Sequence, residues 1–148
     1  MSNLRIALRM SALLAFTLLF ASGVQAQANR TWVSGVGDDS SPCSRTSPCK
    51  TLAGAIAKTN MGGEITMLDA GGFAPVIISK SITIDGTGVG ASILAVERNA
   101  ITIIIPFTPG HVGRDPRIVR IRGLALNGAG TGDTVISSFE PSLTVAII

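Results

Sequence analysis

The sequence has no tyrosine, one tryptophan, one histidine and two cysteines in 148 residues. Two cysteines are too few ligands for a structural metal site, and His111, the lone histidine, is remote from both. His111 lies between Pro109-Gly110 and Gly113, the setting of a loop residue rather than of a general base. An excess of charge is also missing. The whole chain is formally +3, but two of its twelve basic residues are Arg5 and Arg9, in a separable N-terminal segment. Ten basic residues then stand against nine acidic ones, a balance that gives no footprint for nucleic acid or an anionic membrane. What is plentiful is glycine, seventeen residues, together with runs of Ile, Val and Thr. That mixture favours many short strands joined by tight turns.

The separable segment is "MSNLRIALRMSALLAFTLLFASGVQAQA". Arg5 and Arg9 form a basic n-region, Met10 to Phe20 an apolar h-region, and the small residues beyond offer cleavage after Ala26 or Ala28. This is the pattern of a secretory signal peptide, and it predicts a secreted or periplasmic protein that meets the membrane only through its leader. The competing reading is an uncleaved anchor, since no charge intervenes between Arg9 and Arg30. No Cys closely follows the h-region, which argues against a lipoprotein. The expected organisation is a signal peptide over 1–28, an N-terminal strand, disulfide loop and helix over 29–63, and repeating strands over 64–148.

Cys43 and Cys49 enclose five residues in "PCSRTSPCK". In an exported chain, one close pair in a Pro- and Ser-rich loop reads as a disulfide, worth roughly 2 kcal/mol in chain-entropy terms for so small a loop. Redox catalysis commonly uses the tighter C-x-x-C pair.

Thr31 to Ser34 reads as a short strand. In "KTLAGAIAKTNMGGE", Leu52, Ala55, Ile56 and Thr59 recur at helical spacing, with Thr51 as cap and Gly62-Gly63 as the expected stop. Beyond Gly63 the period changes to apolar-x-apolar: Ile82-Thr83-Ile84, Ile101-Thr102-Ile103, Val119-Arg120-Ile121 and Leu143-Thr144-Val145. Their first positions lie 19, 18 and 24 residues apart, a strand-bearing repeat that predicts a solenoid. A second echo sets Ile84-Asp85-Gly86 against Leu126-Asn127-Gly128. The alternative, a β-sandwich, would show hairpin turns more plainly.

The stretch from "RTWVSGVGDDSS" through "KTLAGAIAKTNMGGEITM" to "SITIDG" resembles the start of bacterial right-handed parallel β-helix proteins of the pectin-lyase-like superfamily. "VRIRGLALNGAGTG" resembles one of their later coils, and the likeness covers most of residues 30–132. The resemblance implies an all-β fold, a right-handed parallel β-helix solenoid whose short N-terminal α-helix caps the first coil. "PFTPGHVGRDPR" (106–117) is longer than a tight corner needs and is expected to protrude. The likeness fades beyond Gly132 while family members continue, so the solenoid is expected to be cut short, with "SLTVAII" facing an absent coil. Such an open end would invite self-association.

Enzymes of that superfamily use acidic clusters, or calcium with a basic residue, because uronate elimination needs a base and glycoside hydrolysis needs paired carboxylates. Here Glu64, Asp69, Asp85, Glu97, Asp115, Asp133 and Glu140 are dispersed. No catalytic residue, metal ligand or cofactor is therefore assigned. Asp38-Asp39 reads as a turn former before a calcium ligand, "GAGTGD" falls short of a calcium repeat, and "NRT" is discounted as a glycosylation site. If Val119 and Ile121 point inward, Arg120 and Arg122 point outward, beside Thr83 and Thr102, with Arg114 and Arg117 nearby. Such a column suits an acidic polysaccharide or cell-surface component, the guanidiniums making forked bonds to carboxylates; the alternative is a plain solvated face. The sequence thus predicts a structural, adhesive or polysaccharide-binding protein. The rival is the N-terminal fragment of a polysaccharide lyase or glycoside hydrolase acting on uronate-containing glycans.

Overall fold

The computed structural model describes residues 27–105, 117–128, 136–138 and 144–148. Residues 1–26 of the expected leader, His111, Arg114 and most of the 106–117 segment lie outside the described residues, while Ala28, the last leader position expected, already belongs to the first strand. Within them the order begins with β1 (Ala28–Val33) and α1 (Leu52–Lys58). Next come β2 (Thr59–Met67), β3 (Gly71–Phe73), β4 (Val76–Ile78), β5 (Ile82–Asp85), β6 (Ala91–Leu94) and β7 (Ile101–Ile103). β8 (Ile118–Arg122), β9 (Leu124–Asn127), β10 (Ile136–Ser138) and β11 (Thr144–Ile147) follow.

The strands form three sheets: a five-stranded one ordered β1-β2-β5-β8-β11, and two of three strands, β3-β6-β9 and β4-β7-β10. Every pairing is parallel. From β2 onward the chain visits the three sheets in a fixed rotation, so each strand pairs with the one three places later. The described residues are therefore mostly parallel β-structure with one short helix.

Alternation within each strand builds the core. In the large sheet Ile65, Ile84 and Ile121 stand in register, as do Ile82 and Val119, and all five are buried. Val76 and Ile101 stack in one small sheet, and Phe73 and Ile93 in the other. Neighbouring strands are about 4.8 Å apart, so apolar side chains stack in columns. Each buried Ile contributes roughly 1.5–3 kcal/mol.

The repeat is longer and less even than the spacing of the triplets suggests. Ile82-Thr83-Ile84 lies opposite Val119-Arg120-Ile121, 37 residues on. Ile101-Thr102-Ile103 belongs to a different sheet, between β4 and β10. Thr144 opposes Ile118, and Ala146 opposes Arg120. The echo of Ile84-Asp85 in Leu126-Asn127 is not a stacking relation either, since Leu126 pairs with Ile93 and Asp85 with Arg122. The triplet is a signature of any inward-facing strand here, which is why spacing alone merged two sheets.

The helix begins as its sequence indicates: the Thr51 hydroxyl accepts from Gly54 N at 2.9 Å. Leu52, Ala55 and Ile56 are buried, and the helix packs against β1, β2 and β4. It ends at Lys58, ahead of the glycine pair. Thr59 stops it. That residue turns extended, gives its N–H to Ile56 O and donates its hydroxyl to Ala55 O at 2.7 Å. Fully buried, it is also 2.7 Å from the Thr31 hydroxyl. β2 thus crosses the division expected after Gly63. The glycines serve a bulge instead, between the pairs Ala28–Thr59 and Arg30–Glu64. Gly62 has φ of 74°, and a Cβ on Gly63 would come within 2.8 Å of Asn29 O.

Candidate functional site on the outer face of the large sheet

Because Thr31, Val33, Ile65, Ile84 and Ile121 point inward, the residues between them form the outer face. One row runs Arg30, Glu64, Thr83, Arg120, Ala146 across all five strands. The next runs Trp32, Thr66, Asp85, Arg122. At about 4.8 Å per strand the first row spans roughly 19 Å.

The β1 end of this face is a linked group. Arg30 reaches Glu64 Oε1 with Nη2 at 2.9 Å, donates Nε–H to Thr66 Oγ1 at 3.0 Å, and holds its guanidinium 5.6 Å from the Trp32 ring centroid. Thr66 donates to Glu64 Oε1 at 3.2 Å. The β8 end is looser. Arg120 is exposed, whereas Arg122 stands 4.0 Å from Asp85 Oδ2. The Thr87 side chain and backbone N–H lower the Asp85 pKa; slight burial opposes them, and Arg122 and Arg30 add to the lowering. Asp85 therefore stays ionised well into the acid range.

The residues singled out in the sequence are only partly brought together. Thr83 and Arg120 are cross-strand partners, and Arg122 lies on the same strand and face. Asp85 beside Arg122 tempers the basic character expected there. Arg117 is half-buried just before β8, and its carbonyl accepts from Thr144 N at 3.0 Å. Thr102 is elsewhere: on β7 it helps line an open groove of about 530 Å³ with Ile77, Glu97, Arg98 and Asn99. Arg114 lies outside the described residues.

Arg30 and Trp32 were not singled out, yet they extend the face by one strand. In "RTWV" no local pattern marks them, since Arg30 and Thr31 are both polar and Trp32 and Val33 both apolar, and the pairing of β1 with β2 across the helix was not readable.

The acidic turn has another role. Asp38 accepts from Ser40 N and Oγ, each at 2.8 Å. Asp39 Oδ1 accepts from Lys50 N and Thr51 N, both at 2.9 Å, and Oδ2 from the Thr51 hydroxyl at 2.7 Å. Slight burial raises the Asp39 pKa, but the Thr51 and Lys50 donors outweigh it and hold the carboxyl below its ordinary value. These carboxylates are turn and helix-start anchors. Nearby, the Cys43 and Cys49 sulfurs are at disulfide distance, with Cα atoms 4.6 Å apart.

Comparison with family models, with curated proteins and with solved structures returns no match to this chain. The chemistry of the face must speak for itself. It gathers guanidinium, hydroxyl, indole and ionised carboxylate groups on a broad surface, with no imidazole among the described residues. Such groups hold a ligand by hydrogen bonds and stacking.

Proposed function

We propose that this chain is an exported right-handed parallel β-helix of the pectin-lyase-like kind that binds an acidic polysaccharide through the outer face of its large sheet, without catalysing a reaction there. The rotation of strands through three parallel sheets supports the coil, since parallel crossovers are overwhelmingly right-handed. Export is supported by the leader pattern, and a cysteine pair at disulfide distance is in keeping with an oxidising compartment.

One observation carries the binding role: Arg120 and Arg122 share a strand and a face, with Thr83 directly opposite Arg120. Two guanidiniums spaced by one residue lie roughly 7 Å apart along a strand, within the reach of carboxylates on a sugar chain. Trp32, at the other end of the face, adds a stacking surface for a sugar ring. The roughly 19 Å row suits an extended oligosaccharide rather than a single sugar. Glu64 and Asp85 on the same face narrow the choice by repelling carboxylates placed over them.

The test is affinity electrophoresis through gels containing polygalacturonate or a neutral glucan. Retardation by polygalacturonate alone is expected, weakening at least about tenfold in the Arg120→Ala/Arg122→Ala variant and falling with salt. Equal retardation of variant and parent would refute the assignment.

A further inference from the structure

β1 is one of the two outer strands of the large sheet, and a free parallel edge is a template for another strand. This edge is occupied by the chain's own cysteine loop. Trp32 N donates to Cys43 O at 2.9 Å, Cys49 N to Trp32 O at 3.0 Å, and Ser34 N to Cys49 O at 2.9 Å. Val33 and Cys49 form a parallel bridge. The loop therefore takes both main-chain groups of Trp32 and the amide of Ser34.

The loop does not offer a new edge in exchange. Pro42 and Pro48, one before each cysteine, have no N–H to give. The Pro48 carbonyl accepts from Asp38 N at 3.0 Å and from the Ser41 hydroxyl at 2.9 Å. The same hydroxyl lies 2.8 Å from Ser47 O. Lys58, reaching from the helix, donates to the carbonyls of Asp39 and Ser41, so the turn behind the loop is tied down as well.

We infer that the Cys43–Cys49 loop is an edge guard, a self-contact that occupies β1 and prevents a strand from a second copy of this chain from adding there. The disulfide keeps the guard in place. The loop between the cysteines, Ser-Arg-Thr-Ser-Pro, has no large apolar side chain to anchor it, whereas both cysteines are fully buried. Cross-linking these two restricts the loop to conformations near the one that meets β1.

The experiment compares the purified parent with the Cys43→Ser/Cys49→Ser variant by amide hydrogen exchange and sedimentation equilibrium. Exchange at Trp32 and Ser34 is expected to quicken at least about tenfold in the variant, while Ile65 and Ile84 keep their protection. A concentration-dependent dimer should appear with it, and disappear when Trp32→Pro removes the edge donor. Unchanged protection at Trp32 and Ser34, or a variant that stays monomeric at every concentration, overturns the inference. If the cysteine variant also loses protection at Ile65 and Ile84, Ser41→Ala with its disulfide intact decides. Selective acceleration at Trp32 and Ser34 then supports the guard, and parental rates overturn it.

Discussion

Gly123 is the sole residue between β8 and β9, and its replacement by alanine puts the stacking of successive corners to a quantitative test. It has φ of 56°, and a Cβ there would sit 2.5 Å from Thr87 Cα and 2.6 Å from Thr87 N. Both are backbone atoms of the preceding corner. To restore contact at about 3.5 Å, the two corners must separate by roughly 1 Å. The Gly86 N to Arg122 O hydrogen bond, 2.9 Å long, spans the same gap and would break. The left-handed conformation costs an alanine about 1 kcal/mol, the lost hydrogen bond about 1 kcal/mol, and the overpacking about 1–3 kcal/mol. The sum is roughly 3–5 kcal/mol.

Gly88 is the internal control. Its φ is 79°, but a Cβ there meets nothing within 4 Å, so Gly88→Ala should cost only the conformational term, about 1 kcal/mol. Urea unfolding followed by far-ultraviolet circular dichroism measures both. With a slope of about 1–3 kcal/mol per molar urea, the Gly123→Ala midpoint should fall below that of Gly88→Ala by about 1 M. Midpoints closer than about 0.3 M would refute the claim that the corners are in contact.

Two further outcomes follow from the core and the acidic turn. Ile84→Ala should cost about 2–5 kcal/mol, whereas Ile77→Ala, at a position 62% exposed, should stay within about 0.5 kcal/mol; equal losses in thermal melts would mean that the inward columns are misassigned. Asp38, Asp39 and Asp85 all have folded pKa values below the ordinary carboxylate value, so their stabilisation is complete above that value and is lost as pH falls through the folded pKa. Stability should therefore be flat from neutral pH down to about 5 and decline below it, and Asp39→Asn should shallow that acid decline; an identical decline in parent and variant would rule Asp39 out as a contributor.

Much of the local structure was legible because it depends on neighbours in sequence. The Thr51 cap, the buried Leu52-Ala55-Ile56 face and the inward positions of Ile82 and Ile84 all follow from short-range pattern. The helix stop was misread because Thr59 occupies a helical core position yet ends the helix through its own hydrogen bonds to Ala55 and Ile56. No local signal separates these roles, since the contact with Thr31 that fixes Thr59 comes from 28 residues away. The assignment of strands to sheets failed for a similar reason. Ile65 to Ile84 is 19 residues, a full return to the same sheet. Ile82 to Ile101 is also 19, yet it reaches a different sheet. Spacing cannot tell a return to the same sheet from a passage to a different one.

For the face, alternation correctly sends Arg120 and Arg122 outward and sets Thr83 beside them. It could not show that Thr102 belongs to another sheet, nor that Asp85 would stand against Arg122. Those facts depend on cross-strand register, which is set by the number of residues in each corner.

The corners are unequal in a way that bears on how such a chain can diversify. Passages from the large sheet into the β3-β6-β9 sheet take three, five and one residues. Passages back into the large sheet take three, fourteen and five. The longest passage lies at this second seam, where each connection feeds the start of a large-sheet strand. The fourteen-residue connection enters β8 at Ile118, two positions before Arg120. Insertions there can change what borders the arginines without altering the stacked columns beneath them, so the seam is the natural place to graft a new recognition segment.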